Sequence, residues 1–462
     1  MVNITRMSWR VAAVLAGVSL AIAGVLAAGA PAMAAGQHTG HHGGPAAASA
    51  PMGFWPGRVG VGRPGLSAAA LPDGGRNVPK PGKSSALNGI YCTSSASCWA
   101  VGTYAPSSGS ANLNEVLHWN GSKWSQVLVA SPGGTGTSGF SDLLAVRCLS
   151  ASDCWMVGYY SRGEADFGEA FHWNGKAWST VPTPAPGGTL KGDVSELYDV
   201  VCASSDNCWA GGEYGTQGST PVDTTILNEI LHWNGKAWSV VHPPNPAGTG
   251  RSNAQAVETI RCTSARNCIA VGTYGNVRTG ILRNQALHWN GSKWSKMSIT
   301  NPGGTHGDGD ISELFGLGCT TAANCWAVGT FGLVGTLFQD QTMHWNGSKW
   351  QLAGAPNPGG TNPGASNTLT AVNCLSAANC WAVGYYNSPG PNLNQALHWN
   401  GKTWSQTTTP NPAGTGSNAQ NYLLGIRCSS ASNCWAVGEQ QRSGGFIRNQ
   451  ALRWNGTKWS TG

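Results

Sequence analysis

Three kinds of side chain in this 462-residue chain have types and spacings that could do chemistry: cysteines, carboxylates and histidines. The fourteen cysteines form seven C-x5-C pairs: Cys92 with Cys98, Cys148 with Cys154, Cys202 with Cys208, Cys262 with Cys268, Cys319 with Cys325, Cys374 with Cys380, and Cys428 with Cys434. Zinc needs about four converging ligands and thiol redox motifs favour C-x-x-C, so neither fits. The spacing instead predicts seven disulfides, each across a short hairpin and contributing ~2 kcal/mol by loop closure. Six residues before each first cysteine stand Ala86, Asp142, Glu196, Ala256, Glu313, Thr368 and Tyr422. Asp142, Glu196 and Glu313, with Asp199 and Glu258 slightly deeper, are candidates for a glycosidase-type carboxylate pair or a cation site. No spacing fixes a pair, so a solvated polar rim is the preferred reading. Asp308 and Asp310 suggest a calcium loop that lacks the full acidic pattern, so calcium is a secondary reading and no cofactor is expected. The repeated histidines (His118, His172, His232, His288, His344, His398) lie one repeat apart, too far for shared coordination at ~2 Å, and read as packing residues.

These residues are positioned by one unit written seven times. Successive first cysteines are 54 to 60 residues apart. His-Trp-Asn-Gly starts at each of those histidines, and Arg453 begins the seventh copy. A further Trp follows each Gly by three residues, and a Trp follows each second cysteine except at Ile269, so 20 of the 22 Trp stand in register. In the second unit, residues 143–148, 154–160, 169–173 and 178–181 read as strands. Residues 149–153 read as a polar turn and Asn174-Gly175 as a type I′ hairpin signal. Four antiparallel strands per unit is the arithmetic of a propeller blade. The expectation is an all-β, seven-bladed β-propeller over residues 86–462, with units starting near 86, 142, 196, 256, 313, 368 and 422. The Trp ladders are assigned to packing between blades. The last unit reads as short, so part of residues 50–85 is expected to cover its outer edge.

The W-A-V-G strand (Trp99 to Gly102, Trp326 to Gly329, Trp381 to Gly384, Trp435 to Gly438), followed by a Gly-x-x-Trp hairpin, carries a resemblance. It is similar to secreted bacterial Trp-rich WAVG/HWNG repeat proteins. More distantly it resembles Asp-box propellers of the sialidase type and photosystem II assembly-factor propellers. Trp119 and its equivalents stand where the box would carry its Asp. The resemblance implies a propeller and transfers no reaction.

Only 10% of residues are charged and Gly numbers 66 and Pro 25, which excludes a helical bundle. Twenty-two Trp among 40% apolar residues exclude a disordered chain. A formal charge of +7 without a dense basic run argues against nucleic-acid binding. Arg6, Arg10, the apolar run from Val11 to Ala28 and Ala32-Met33-Ala34 read as a signal peptide over 1–34. Residues 35–85 read as a flexible leader, whose His38, His41 and His42 are taken as solvated. The expected product is a secreted, extracellular or surface-associated monomer without a membrane anchor.

In a propeller the first and third hairpin turns of each blade share one face; here both are nearly uniform. The opposite loops vary from unit to unit and are where a site is expected. They carry Tyr198, Phe315, Tyr386, Tyr422, Arg283 and Arg448 as binding candidates. No nucleophile elbow, zincin or phosphate-loop motif occurs, which favours a binding module over an enzyme. The leading expectation is a noncatalytic binder of extracellular glycan or protein. The alternatives are a polysaccharide hydrolase or lyase at the channel mouth and a structural surface protein without ligand.

Overall fold

The computed structural model describes residues 82–462 except 108–109, 217–223, 305–306, 308, 334–335 and 389. The signal peptide, most of the leader, His306 and Asp308 therefore lie outside the described residues.

Each unit forms a four-stranded antiparallel sheet with its strands in chain order. In the second unit the strands are Phe140–Ser150, Asp153–Arg162, Ala165–Trp173 and Trp178–Val181. The first hairpin is tighter than expected, because Ser150 pairs with Asp153 and leaves a two-residue turn. Its two cysteines are cross-strand partners. All seven expected disulfides are formed. Cys92 is bonded to Cys98, Cys148 to Cys154, Cys202 to Cys208 and Cys262 to Cys268. Cys319 is bonded to Cys325, Cys374 to Cys380 and Cys428 to Cys434. The Asn-Gly turn differs from expectation. Trp173 pairs with Trp178, so the loop has four residues. Gly175 has φ 91°, but Asn174 does not share the left-handed region that a type I′ turn needs at both positions. Its side chain instead accepts from the N–H groups of Lys176 (2.9 Å) and Ala177 (3.0 Å), closing the loop as an Asx turn does.

The innermost strands are Ser84–Ser94, Phe140–Ser150, Asp193–Ser204, Asn253–Ser264, Asp310–Thr321, Ser366–Ser376 and Gln420–Ser430. They touch in chain order, and the last touches the first, which is the arrangement of a β-propeller. Single-residue parallel bridges, Asp166 to Val194 and Leu282 to Ile311, join units 2 to 3 and 4 to 5.

The Trp after the second cysteine reaches into the next unit. Trp99 meets Trp178 edge-on at 5.2 Å, Trp155 meets Trp238 at 5.2 Å, and Trp381 meets Trp459 at 5.4 Å. Trp435 of unit 7 meets Trp124 of unit 1 in the same way, at 5.4 Å and 82°. In unit 4, Ile269 takes the Trp place and shares a core with Trp350. Each edge-on pair adds about 0.5–1.5 kcal/mol to the area it buries. The seam between the last and first units is thus built like the other interfaces. The outermost strand of unit 7, Trp459–Thr461, is as long as that of unit 1, Trp124–Gln126. Of the segment expected to cover the outer edge of unit 7, residues 82–85 instead enter the innermost strand of unit 1, and residues 50–81 lie outside the described residues.

The remaining ladders tie each unit to its own first turn. The indole N–H of Trp119 donates to Ser95 O (3.2 Å), that of Trp173 to Ala151 O (3.1 Å) and that of Trp454 to Ala431 O (3.0 Å). The His288 ring is 2.7 Å from Asn267 Oδ1, just before the second cysteine. His232 lies 4.3 Å from the Trp209 ring. Burial lowers the pKa of His118, His232, His288, His344 and His398, in keeping with neutral packing rings.

Candidate functional site in the central channel

Each innermost strand carries one extra residue opposite the second strand: Asn88, Leu144, Tyr198, Glu258, Phe315, Thr370 and Leu424. A β-bulge re-aims the inserted residue and bends the strand. The glycine that ends W-A-V-G, or W-M-V-G, W-A-G-G and I-A-V-G in units 2, 3 and 4, accommodates the close approach. A Cβ on Gly212 would stand 1.8 Å from Glu196 O, and one on Gly272 2.1 Å from Ala256 O. The seven bulge residues line an axial cavity of about 140 Å3, together with Arg147, Asp199 and Arg261.

Toward the disulfide turns, the residue before the first cysteine is Tyr91, Arg147, Val201, Arg261, Gly318, Asn373 or Arg427. Asp199 draws two of the arginines together. Arg261 Nη1 lies 2.5 Å from Asp199 Oδ2, and Arg147 Nη2 lies 3.5 Å from Oδ1. Thr259 Oγ1 and the Ile260 N–H donate to the same carboxylate at 2.6 and 3.1 Å. Burial alone would raise the Asp199 carboxyl, but Arg261, Arg147 and these hydrogen bonds outweigh it and hold it below its ordinary value. Arg427 lies over the Tyr91 ring at 4.1 Å and donates to its hydroxyl at 3.0 Å. Burial, then repulsion from Arg261, pulls the Arg147 guanidinium down to about 10, against the attraction of Asp199.

The residues singled out from sequence are distributed unevenly around this cavity. Tyr198 and Phe315 line it as bulge residues. Tyr386, Tyr422, Arg283 and Arg448 do not. Tyr422 packs edge-on against Tyr385 at 4.7 Å and donates to Gln420 Oε1 at 2.6 Å. Arg448 donates to Gly82 O at 3.3 Å. Tyr386 and Arg283 are half-buried on strands of units 6 and 4. The acids Asp142, Glu196 and Glu313 form no solvated rim: they are 2%, 2% and 6% exposed. They are paired within their sheets with Tyr159, Glu213 and Thr330. Asn88 Nδ2 donates to Asp142 (2.7 Å) and the Tyr198 hydroxyl to Glu196 (2.7 Å). Asp310 accepts from the Gly307 N–H at 2.9 Å, capping its own turn, as Asp193 does for Leu190 at 2.8 Å. Among the described residues, no group of three or more His, Cys, Asp or Glu is placed to hold a metal ion.

A second polar layer lies on the third strands, where the sequence pattern alone does not distinguish it from solvent-facing polarity. The third strands carry Asn114-Glu115, Gly168-Glu169, Asn228-Glu229, Asn284-Gln285, Asp340-Gln341, Asn394-Gln395 and Asn449-Gln450, all buried. From units 1, 3, 6 and 7 the first member of a pair reaches the second member in the next unit, whereas between units 4 and 5 neither polar side-chain atom of Gln341 has a hydrogen-bond partner. Asn114 Nδ2 donates to Glu169 (2.9 Å), Asn228 to Gln285 (2.9 Å) and Asn394 to Gln450 (2.9 Å). Between units 5 and 6 the direction reverses, and the Gln395 amide donates to Asp340. Asn449 donates to Glu115 at 2.6 Å across the seam. The Gln amide also donates inward, Gln285 to Ala256 O (2.6 Å) and Gln450 to Tyr422 O (2.7 Å), passing over the W-A-V-G glycine. Glu115, Glu169 and Glu229 occupy the same register, and burial raises their pKa well above the ordinary carboxyl value. Where unit 2 has Gly168 in place of Asn, neither oxygen of Glu229 has a hydrogen-bond partner.

No protein-family model matches the chain, and no curated protein does. Among solved structures, it resembles a polysaccharide lyase, a PL25 ulvan lyase bound to -[GlcA(1-4)Rha3S]-. The TM-score is 0.51 at 10% identity, over 84% of this chain and 98% of that one. A six-bladed fucose-recognising lectin from Aleuria aurantia gives a TM-score of 0.37 at 14% identity, over 83% and 96%. At these identities the lyase match speaks for the fold alone.

Proposed function

We propose that this chain is a secreted, noncatalytic, seven-bladed β-propeller that binds an extracellular glycan or protein. The supporting observation is internal. Positions that hold blades together recur at one register, whereas the bulge residues facing the channel differ in every blade but for Leu144 and Leu424. Loops at the same end differ in length as well, and a scaffold alone would not require either difference. Seven disulfides fit an oxidising, extracellular environment. Among the described residues no helix is long and apolar enough to cross a membrane. The rival reading, a hydrolase or lyase using Asp142, Glu196 and Glu313, needs those acids to reach substrate, and their burial argues against it. The test is a glycan array together with a pull-down from extracellular material, using the secreted chain. Specific retention of a glycan or protein is expected, and retention of nothing overturns the proposal. Turnover on a polysaccharide panel that Glu313→Gln abolishes would favour the rival.

A further inference from the structure

The channel presents unlike chemistry at its two levels. The bulge layer mixes aromatic, aliphatic and polar side chains. The level about 10 Å further along, three residues at strand rise, concentrates guanidinium groups. Arg147, Arg261 and Arg427 approach from blades 2, 4 and 7, an arc that leaves blades 5 and 6 free of cations at this level. There the equivalent residues are Gly318, which has no side chain, and Asn373. Two guanidiniums share the Asp199 carboxylate. The third rests on Tyr91 and donates from Nη2 to its hydroxyl; its Nε is sealed from the channel, so the other end of the half-buried guanidinium is the part that faces a ligand. A fork of N–H donors left partly unused beside other cations is a receptor for an oxygen anion, which accepts two parallel bonds and offsets the mutual repulsion.

We propose that this arginine cluster is a binding site for a small oxyanion group, a carboxylate, sulfate or phosphate, held at the disulfide-turn end of the channel. It lies away from the variable loops and does not depend on what those loops bind. Asp199 is the internal competitor: it orients Arg147 and Arg261 and weakens the site by one negative charge. Tyr91 keeps the Arg427 fork in place.

The test measures binding of sodium sulfate, phosphate and glucuronate to the full secreted chain by calorimetry, with chloride at matched ionic strength as reference. A sulfated polysaccharide forms a further arm, which tells a free ion from a charged group on a polymer. At least one oxyanion is expected to bind saturably. Arg427→Gln should weaken it about tenfold, the loss of one charge-assisted hydrogen bond. Sulfate also stabilises proteins generally by exclusion from their surface, and that effect would be unchanged in R427Q. Undiminished binding in folded R427Q, or no saturable binding of any oxyanion, overturns the proposal. If R427Q does not fold, Arg427→Lys is read in its place: it keeps the charge but loses the fork, so weaker binding supports the site and equal binding overturns it. Asp199→Asn should act in the opposite sense and tighten binding, and a folded D199N that binds more weakly also overturns the assignment.

Discussion

Blades 1 to 3 place Glu115, Glu169 and Glu229 where blades 4 to 7 place Gln285, Gln341, Gln395 and Gln450. The two side chains have nearly the same shape and differ in one terminal group. In blades 4 and 7 the Gln amide donates to a carbonyl of its own innermost strand and accepts from the Asn of the preceding blade. An ionised carboxylate can do only the second, because it has no proton to donate. A protonated one can do both. The Gln blades show what this register favours, a neutral group. In the Glu blades Glu115 and Glu169 accept from an Asn through one oxygen, the other oxygen and both of Glu229 have no hydrogen-bond partner, and burial raises the pKa of all three. Charge at this layer costs stability, which is a different role from the carboxylates of a catalytic pair.

The comparison can be broken most severely at the glycine over which both side chains pass. Gly102→Ala in a Glu blade and Gly272→Ala in a Gln blade should each cost about 3 kcal/mol in urea denaturation, since the new Cβ meets a backbone carbonyl at about 2 Å. A clearly smaller loss at Gly102 would mean that the two kinds of blade are not built alike. Next in size is the pH response. The unfolded chain releases the Glu229 proton near the ordinary carboxyl pKa, and the folded chain holds it well above. The unfolded state then binds fewer protons, so stability is full at low pH and falls as pH rises past the unfolded value. Glu229→Gln should recover stability as pH rises above the ordinary carboxyl value, at up to about 1.4 kcal/mol per pH unit while the folded chain still holds the proton, and gain little at pH 4. Gln285→Glu should introduce into blade 4 the loss that Glu229→Gln removes from blade 3.

Removing the donor tests both kinds of interface. Asn228→Ala, facing Gln285, and Asn449→Ala, facing Glu115 across the seam, should each cost about 1–2 kcal/mol. A much larger cost at Asn449 would show that ring closure leans on this bond more than the other interfaces do. The smallest change is the one confined to the pH unit between 7 and 8, and it concerns Glu439, which burial pushes up to about 8 in a blade that already has its Gln. Its contribution is present below the unfolded carboxyl pKa and lost as pH rises to about 8. Glu439→Gln should remove about 1 kcal/mol of that loss between pH 7 and pH 8, read from the same denaturation series.

Much of the fold was legible because it is periodic. The pair Cys92 and Cys98 and its copies, the Trp ladders and the Asn-Gly loops recur at one spacing, and a sevenfold repeat of four short strands leaves few other architectures. The channel was less legible for a physical reason. A bulge shifts the alternation of side chains by one residue, so Tyr198 and Phe315 face the axis while Glu196 and Glu313, two positions earlier, are enclosed in the sheet. Simple counting back from the cysteine does not reveal that shift. Arg147, Arg261 and Arg427 were visible at one register but absent from the other four copies, so they did not stand out as a pattern. The Asn-Glu and Asn-Gln pairs did form a pattern, just before His-Trp-Asn-Gly. Polar residues in a strand normally face water, and nothing local announces that these bridge between sheets.

Each disulfide joins residues six apart within one hairpin, and none links one blade to another. Oxidation can thus proceed in step with emergence of the chain, because every cysteine finds its native partner before the next pair appears. Enzymatic reshuffling has little to correct in such a scheme. Assembly of the circle is left to noncovalent docking, so a fully oxidised chain can still be an open necklace. The event that commits it is the meeting of the final bead with the first, when Trp435 reaches Trp124 and Asn449 reaches Glu115.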